Sequence, residues 1–154
     1  MIANETLNGI LLGVNPVWFS DKDEKEYLWT PRVFTDRDEI VSLISQSIEF
    51  IKPQSLKGKV FGGVRGFYYF GINELIEEEI ITRVDTANEV DLFSMLLNQR
   101  VDAAIISRST FDHTIKKNNW QNKFHLSKKP TIYTIVEFLF RINILKFTNI
   151  LCQL

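Results

Sequence analysis

The sequence predicts an α/β fold organised around a parallel sheet, and the prediction rests on residues 56–109. Short runs rich in β-branched and apolar residues alternate there with segments of helical spacing, in the order β-α-β-α-β. The last run, residues 101–106, is almost entirely apolar, as expected for a parallel strand that is covered on both faces. Strands that alternate with helices favour a parallel sheet with right-handed crossovers.

The first half of this unit has a clear local pattern. Residues 59–64 form a β-rich run that ends at Arg65-Gly66, and residues 67–79 continue at helical spacing. One side of the predicted helix is apolar and carries Ile72, Leu75, Ile76 and Ile80.

The second half repeats the pattern. Residues 80–84 are β-branched and predict a strand, and a capping box from Thr86 to Glu89 is predicted to begin the next helix. The buried side of that helix is expected to carry Val90, Phe93 and Leu97.

The segments that precede this unit mix strands and turns. Residues 8–14 predict a buried strand, and Pro31 keeps the aromatic residues 27–31 out of a helix. Residues 35–38 predict a polar turn. Residues 39–50 have helical spacing but are rich in β-branched residues, and we favour an extended strand.

The segments that follow it end in an apolar stretch. Residues 110–117 predict a short helix and residues 123–127 a strand. Residues 131–154 are dense in Ile, Leu and Phe and long enough to cross a bilayer. The three charged side chains within this stretch would each cost roughly 2.5 to 3.5 kcal/mol at the membrane centre, which favours a core helix over a membrane span.

Composition excludes several classes of function. The net charge of -1 provides no field that would attract nucleic acid or an anionic membrane. Cys152 is the only cysteine, which excludes an internal disulfide and a cysteine metal cluster. His113 and His125 have no partner at metal-ligand spacing, and neither a P-loop nor a Gly-x-Ser-x-Gly elbow occurs. We therefore expect no catalytic residues, no metal and no cofactor, and hence a protein that is not an enzyme.

The strongest functional signal is the strand-to-helix turn at residues 62–68. Ligands of open α/β sheets bind beyond the carboxyl ends of the strands. Gly66 would let a ligand approach the backbone, Arg65 would hold an anionic group and Tyr68 would stack on the ligand. Ser107, at the end of the last strand, would emerge at the same edge and hydrogen-bond the ligand. The alternative is that the glycines only make a tight turn and that Arg65 and Ser107 lie in solvated loops.

Two motifs of this unit are shared with a known family. LKGKVFGGVRG at residues 56–66 and RVDAAI at residues 100–105 resemble the second lobe of bacterial extracellular solute-binding proteins of family 3, the polar amino-acid receptors of ABC importers. Upstream, FSDKDEKEYLWTPRVF is similar to the end of that family's first lobe. The resemblance extends from residue 11 to about residue 130. Its motifs are moderately specific together and weakly specific one by one.

The resemblance implies a periplasmic-binding-protein-like fold of type II, in which two α/β lobes are joined by hinge strands and close on a ligand. The family layout assigns residues 1–54 to an incomplete first lobe with a hinge and residues 55–127 to the second lobe. Residues 128–154 become the return hinge and an atypical apolar segment. Because the first βα units and a secretion signal of such a receptor have no counterpart in the sequence, we expect a truncated member.

The family's contacts to an α-amino acid carry over only in part. The Ser or Thr that follows the lobe-two glycine corresponds to Phe67, and the ammonium-binding Asp corresponds to Ser107. The carboxylate-binding Arg of lobe one has no clear match, and the nearest cations are Lys22 and Lys25. The resemblance therefore implies a more aromatic or less zwitterionic solute.

Together, these inferences predict a solute receptor. We expect the substrate-binding component of an ABC-type transport system for amino acids or related small solutes, with the ligand in an interlobe cleft. The expected contacts are Asn15 and Trp18 from lobe one and Arg65, Gly66, Tyr68 and Ser107 from lobe two. The alternative is a degenerate module of the same fold that no longer binds a solute.

The expected partners and location follow from the same resemblance. A small polar organic solute and an ABC importer permease are implied, with no nucleic acid and no membrane span. The family implies the periplasm, whereas the sequence has no signal peptide and the chain as written would stay in the cytoplasm.

Overall fold

The computed structural model describes residues 9–31, 34–129 and 132–141. The chain forms two compact units, one of residues 36–133 and one of residues 1–35 together with residues 134–154. It therefore passes between the units twice. The lobe boundaries at residues 54 and 127, which the resemblance implies, stay predictions.

The regular elements are eight strands, three α-helices and three short 3-10 helices, within the residues described. In chain order the strands and α-helices are β1 (Gly9–Val14), β2 (Leu28–Trp29), β3 (Phe34–Leu43), β4 (Val60–Val64), α1 (Asn73–Glu77), β5 (Thr82–Thr86), α2 (Glu89–Leu97), β6 (Ala103–Ser107), α3 (Arg108–Asn118), β7 (Phe124–Leu126) and β8 (Ile132–Arg141). The 3-10 helices are Pro16–Phe19, Ile44–Gln46 and Pro53–Leu56.

The smaller unit contains an antiparallel sheet. Strand β8 pairs with β1 and with β2, so that Arg141 lies opposite Gly9 and Phe140 lies opposite Leu28. The core helix expected for residues 131–154 is therefore wrong over β8, and residues 142–154 lie outside the described part. A run of β-branched and aromatic residues favours a strand once a partner strand is available to complete its hydrogen bonds.

A buried carboxylate organises the aromatic segment of this unit. Asp21 accepts hydrogen bonds from the backbone N–H groups of Lys25, Glu26 and Tyr27. It also accepts one from Trp29 Nε1, at 2.8 Å. The Trp29 ring packs edge-on against Tyr27, and this packing supports a structural role for Trp29.

The larger unit contains a mixed sheet with the strand order β3-β6-β4-β5. Strand β4 pairs in parallel with β5 and with β6, which confirms the parallel sheet predicted for residues 56–109. Strand β3 runs antiparallel to β6 and to β7. The carboxyl ends of β4, β5 and β6 therefore lie at one edge of the sheet, and the amino-terminal half of β3 reaches the same edge.

This sheet is buried on both faces. On one face Ile40, Phe61 and Ile105 pack under α1, and on the other Val41 and Ile106 pack under α2 and α3. Neighbouring residues of a strand alternate between the two cores, as the two-residue period of a strand requires. Among the described helices, none is long and apolar enough to cross a membrane.

Helix α1 is much shorter than the helix predicted over residues 67–79. It contains only Asn73–Glu77, because the chain turns Tyr69 into the core before the helix begins. The Tyr69 hydroxyl accepts a hydrogen bond from Val64 N–H, and the Tyr69 backbone N–H donates to Asn73 Oδ1. Tertiary contacts of one aromatic residue thus override the helical spacing of its segment.

Helix α2 begins two residues later than the predicted capping box implies. Its N-cap is Asn88, whose side-chain oxygen accepts from Asp91 N–H at 3.1 Å. Thr86 instead donates its hydroxyl to the backbone carbonyl of Asn88. The buried face is also displaced, since Phe93 is fully buried but Val90 is exposed. The other buried positions of this helix are Leu92 and Leu96.

Strand β3 corrects two predictions for its segment. The polar turn predicted at residues 35–38 is part of the strand, and the strand predicted over residues 39–50 ends at Leu43. A strand can form through these polar residues because the buried carboxylate of Glu39 is paired with Arg37 and Arg108.

We predict that Phe93→Ala destabilises the chain strongly. The ring lies 5.2 Å from the Phe124 ring and 6.2 Å from the Trp120 ring. Its removal leaves a cavity in the core that should cost about 3 to 5 kcal/mol of unfolding free energy. The control is Val90→Ala on the same helix, which should change that free energy by less than about 0.5 kcal/mol because Val90 is exposed. Urea unfolding of the full chain measures both, and equal midpoints would contradict the assigned face.

Candidate functional site

The candidate site lies at the edge where β4, β5 and β6 end. Arg65 N–H donates to the carbonyl of Thr86 at 2.9 Å, which carries the β4–β5 pairing one residue past β4. Thr86 in turn bonds the carbonyl of Asn88 through its hydroxyl, at 2.8 Å. The turn after β4 and the start of α2 are therefore tied together through the last residue of β5.

The turn after β4 presents an open backbone. Phe67 N–H donates to the carbonyl of Val64, and Gly66 has a φ of 82°. This φ favours glycine, since other residues adopt it only with strain. A Cβ added at Gly66 would have no heavy atom within 4 Å, so the backbone can be approached from solvent. The N–H groups of Gly66 and Tyr68 have no hydrogen-bond acceptor among the residues described.

Aromatic side chains surround this turn on the solvent side. Phe67 is 54% exposed, Tyr68 is 62% exposed and Phe70 is 84% exposed. Tyr69 points the other way, with its ring 5.2 Å from the Phe61 ring in an edge-on contact. Burial raises the pKa of Tyr69 to about 12, so its hydroxyl stays neutral at physiological pH and keeps its place against Val64.

The side chain of Arg83, on β5, hydrogen-bonds backbone carbonyls of the same turn. Its Nη2 donates to the carbonyls of Val64, at 2.9 Å, and Phe67, at 3.0 Å. Nη1 lies 3.3 Å from Asn73 Oδ1, and Nε donates to Asp85 Oδ1 at 2.6 Å. The guanidinium carbon also lies 5.1 Å from the centre of the Tyr69 ring.

Carboxylates dominate the end of β6. Ser107 donates its hydroxyl to Glu89 Oε2 at 2.7 Å and its backbone N–H to Glu89 Oε1 at 3.2 Å. Glu89 is the first residue of α2, and Ser107 is the N-cap of α3. A carboxylate between two helix N-termini is favoured by both helix dipoles. The N–H group that an anionic ligand would use at Ser107 is therefore already bound to the protein.

Asp38 lies directly opposite Ser107 in the β3–β6 pairing. Burial, together with the charges of Glu89, Asp36 and Glu39, raises its pKa to about 6. Glu39 pairs with Arg37 Nε at 2.7 Å and with Arg108 Nη1 at 3.5 Å. Four carboxylates thus share this end of the sheet with two guanidinium groups.

The structure places the four predicted residues of the larger unit at this edge. Arg65 is exposed, and its side chain has no ion-pair or hydrogen-bond partner within the described part of the chain. Gly66 is open to solvent, Tyr68 donates its hydroxyl to Glu74 Oε1 at 2.9 Å, and Ser107 is engaged by Glu89. Their contact with a ligand stays a prediction.

The two predicted residues of the smaller unit have different outcomes. Asn15 caps the 3-10 helix Pro16–Phe19, because its Oδ1 accepts from Val17 N–H at 2.9 Å. The Trp18 side chain lies outside the part of the chain that is described.

Sequence reasoning missed Asp38, Arg83 and Glu89. Arg83 and Asp85 alternate along β5 and share a face, which is the only local signal for their pairing. Glu89 had been assigned to a cap and Asp38 to a turn. Groups of three or more His, Cys, Asp or Glu side chains that could hold a metal ion are absent from the described residues.

Comparison with known proteins supports the fold through solved structures. No protein-family model matches the chain, and no curated protein matches it. The GluR0 ligand binding core in complex with L-glutamate is similar with a TM-score of 0.64 at 17% identity, over 87% of this chain and 59% of that one. Holo ArgBP from T. maritima is similar with a TM-score of 0.64 at 17% identity, over 95% of this chain and 60% of that one.

A third solved structure agrees. An ancestral arginine-binding protein bound to arginine is similar with a TM-score of 0.63 at 15% identity, over 90% of this chain and 58% of that one. The chain thus spans about 60% of the length of these ligand-binding proteins. Its fold is α/β and periplasmic-binding-protein-like, as in these solved structures.

We predict that Asp38→Asn stabilises the chain above pH 6. The folded-state pKa of about 6 exceeds the ordinary value of 3.8, so the folded state binds the proton more tightly and loses stability as the pH rises between these values. The amide removes this loss and should add about 1 to 3 kcal/mol at pH 7.5 but almost nothing at pH 4.

Thermal melts at the two pH values measure the effect. Asp23→Asn is the matched control, because Asp23 is exposed and its ion pair with Lys25 should contribute little. A variant that is no more stable than the wild type at pH 7.5 would contradict the assigned pKa.

Proposed function

We propose that this chain is the substrate-binding component of a transport system for amino acids or related small solutes. The observation that carries the proposal is the division of polarity along one sheet edge. Arg65 lies at the end of β4, together with the N–H groups of Gly66 and Tyr68, for which the described residues offer no acceptor. Asp38 and Glu89 lie at the end of β6. A solute that bears a carboxylate and a separate cationic group complements both.

The two ends are close enough to act on one ligand. Strand β4 pairs in parallel with β6, with Gly62 opposite Ala104, and neighbouring strands lie about 4.8 Å apart. Thr86 links the turn to the start of α2 through two hydrogen bonds. The similar proteins that are solved with L-glutamate and with arginine support the same class of ligand.

The geometry changes the expected ligand. The sequence implied a less zwitterionic solute because Ser107 replaces an ammonium-binding Asp. Glu89 and Asp38 supply carboxylates on either side of Ser107, so we propose an ordinary amino acid, and a cationic one in preference. An ABC-type importer, a permease partner and a periplasmic location are further parts of the proposal, supported by the resemblance of the LKGKVFGGVRG and RVDAAI motifs.

We predict that a cationic amino acid raises the melting temperature of the full chain. The panel contains L-arginine, L-lysine, L-glutamate, succinate and agmatine. A bound solute at a hundred times its Kd should add about 2.7 kcal/mol, which corresponds to about 5 to 10 °C for a chain of this size. Glu89→Gln should abolish most of the shift with L-arginine, because the amide removes the negative charge and can still accept one of the two hydrogen bonds from Ser107.

The control is Glu78→Gln, since Glu78 is exposed at the end of α1. This variant should respond to L-arginine as the wild type does. A melt that no solute moves would overturn the proposal and favour the degenerate module. An equal response of both variants would place the cation site elsewhere.

A further inference from the structure

Arg83 is almost fully engaged by the protein. A guanidinium has five N–H donors, and four of them are used, by the carbonyls of Val64 and Phe67 and by Asn73 and Asp85. Its side chain is only 14% exposed. Such a group has little capacity left to bind a solute directly, and any effect on a ligand must pass through the turn that it holds.

The bond to Phe67 determines the direction of one backbone donor. A trans peptide is planar, so the carbonyl of Phe67 and the N–H of Tyr68 point in opposite directions. Because Arg83 Nη2 holds that carbonyl at 3.0 Å, the N–H of Tyr68 points away from the guanidinium. Among the described residues, this is the one hydrogen bond made by the Phe67–Tyr68 peptide group itself, so it fixes the orientation of that peptide.

We infer that Arg83 is a positioning residue for ligand binding. It holds the Phe67–Tyr68 peptide so that Tyr68 N–H faces outward as a donor to the carboxylate of the solute. The inference rests on the proposed function, and it gives Arg83, a partly buried arginine of β5, an effect on which solutes bind at the turn.

Gly63 makes room for this arrangement. A Cβ at Gly63 would lie 3.1 Å from Arg83 Nε and 2.9 Å from the Tyr69 ring. A Cβ at Gly62 would instead lie 3.0 Å from Leu92 on the opposite face of β4. The two glycines therefore provide a matched pair of substitutions, of which only Gly63→Ala disturbs Arg83.

The experiment compares Arg83→Lys with the wild-type full chain in two measurements. Lys keeps the charge but cannot donate to several carbonyls in fixed directions. In the first measurement, calorimetry gives the Kd of L-arginine and of agmatine, which lacks the carboxylate. We expect Arg83→Lys to raise the Kd of L-arginine at least tenfold and the Kd of agmatine less than twofold. Arg100→Lys, at an exposed position after α2, should change neither.

The second measurement needs no ligand. Backbone 15N order parameters of Phe67 and Tyr68 should fall from about 0.85, typical of a rigid backbone, to below about 0.6 in Arg83→Lys. Gly63→Ala should also weaken the binding of L-arginine and lower these order parameters, whereas Gly62→Ala should do neither. This second pair tests the inference even where the lysine variant folds poorly.

The outcomes separate this inference from the proposed function. Equal weakening of L-arginine and agmatine would overturn the inference, because it would indicate a general structural role. The inference would also be overturned if Arg83→Lys changed neither the order parameters of Phe67 and Tyr68 nor the Kd of L-arginine. If the wild type binds neither solute, the proposed function fails, and the inferred positioning of the peptide is then supported by lower order parameters in Arg83→Lys and overturned by unchanged ones.

Discussion

The pairing of Val60 with Asp102 sets the register on which the larger unit depends. Val60 N–H donates to Asp102 Oδ2 at 2.7 Å, and Asp102 N–H donates to the carbonyl of Val60 at 2.8 Å. This reciprocal contact joins the first residue of β4 to the residue that precedes β6. A shift of one residue would exchange the two faces of β6, and both cores would be lost. The same contact explains why the LKGKV and RVDA motifs occur together, since their backbones bond to each other.

The register in turn explains the small residues of both strands. Gly62 lies opposite Ala104, and a Cβ at Gly62 would be only 3.2 Å from Val101 and 3.4 Å from Ala104. The absence of a side chain lets Leu92 of α2 rest directly on the sheet. Gly63 has the same effect on the other face, where Tyr69 and Arg83 occupy the space. The sequence placed Gly62 and Gly63 both in the β-rich run 59–64 and in the strand-to-helix turn 62–68. They lie within β4, where each leaves room for a neighbouring side chain on one face of the strand.

The sequence predicted the elements whose signals are local. The periodicities of β4, β5, α2 and β6, and the apolar character of residues 101–106, were sufficient for a parallel α/β unit. The predicted start of α2 and the predicted length of α1 were wrong because other hydrogen-bond partners compete for the same atoms. Thr86 satisfies a carbonyl instead of a helix N–H, and Tyr69 leaves the helical pattern to bond Val64.

The candidate site shows the same limit. Parallel topology alone brings Gly66 and Ser107 to one edge, and the sequence predicted that edge. The contacts of Glu89 with Ser107 and of Arg83 with Val64 join residues 18 and 19 positions apart, and no pattern in either segment indicates them. Their identity depends on the register that Val60 and Asp102 set.

The charges at this edge oppose folding at neutral pH. Glu39 pairs with two arginines, and the pKa of Asp38, near Glu89, is raised to about 6, so the ionisation of Asp38 at neutral pH costs stability. At the other end of the edge, Arg83 hydrogen-bonds the backbone carbonyls of Val64 and Phe67, whereas the side chain of Arg65 is exposed. The edge therefore carries carboxylates beside one strand end and, beside the next, two N–H groups that have no acceptor among the described residues. If the chain binds a cationic solute as proposed, a bound ammonium or guanidinium group would add positive charge beside Asp38 and Glu89. That charge would lower the pKa of Asp38 and favour its ionised form.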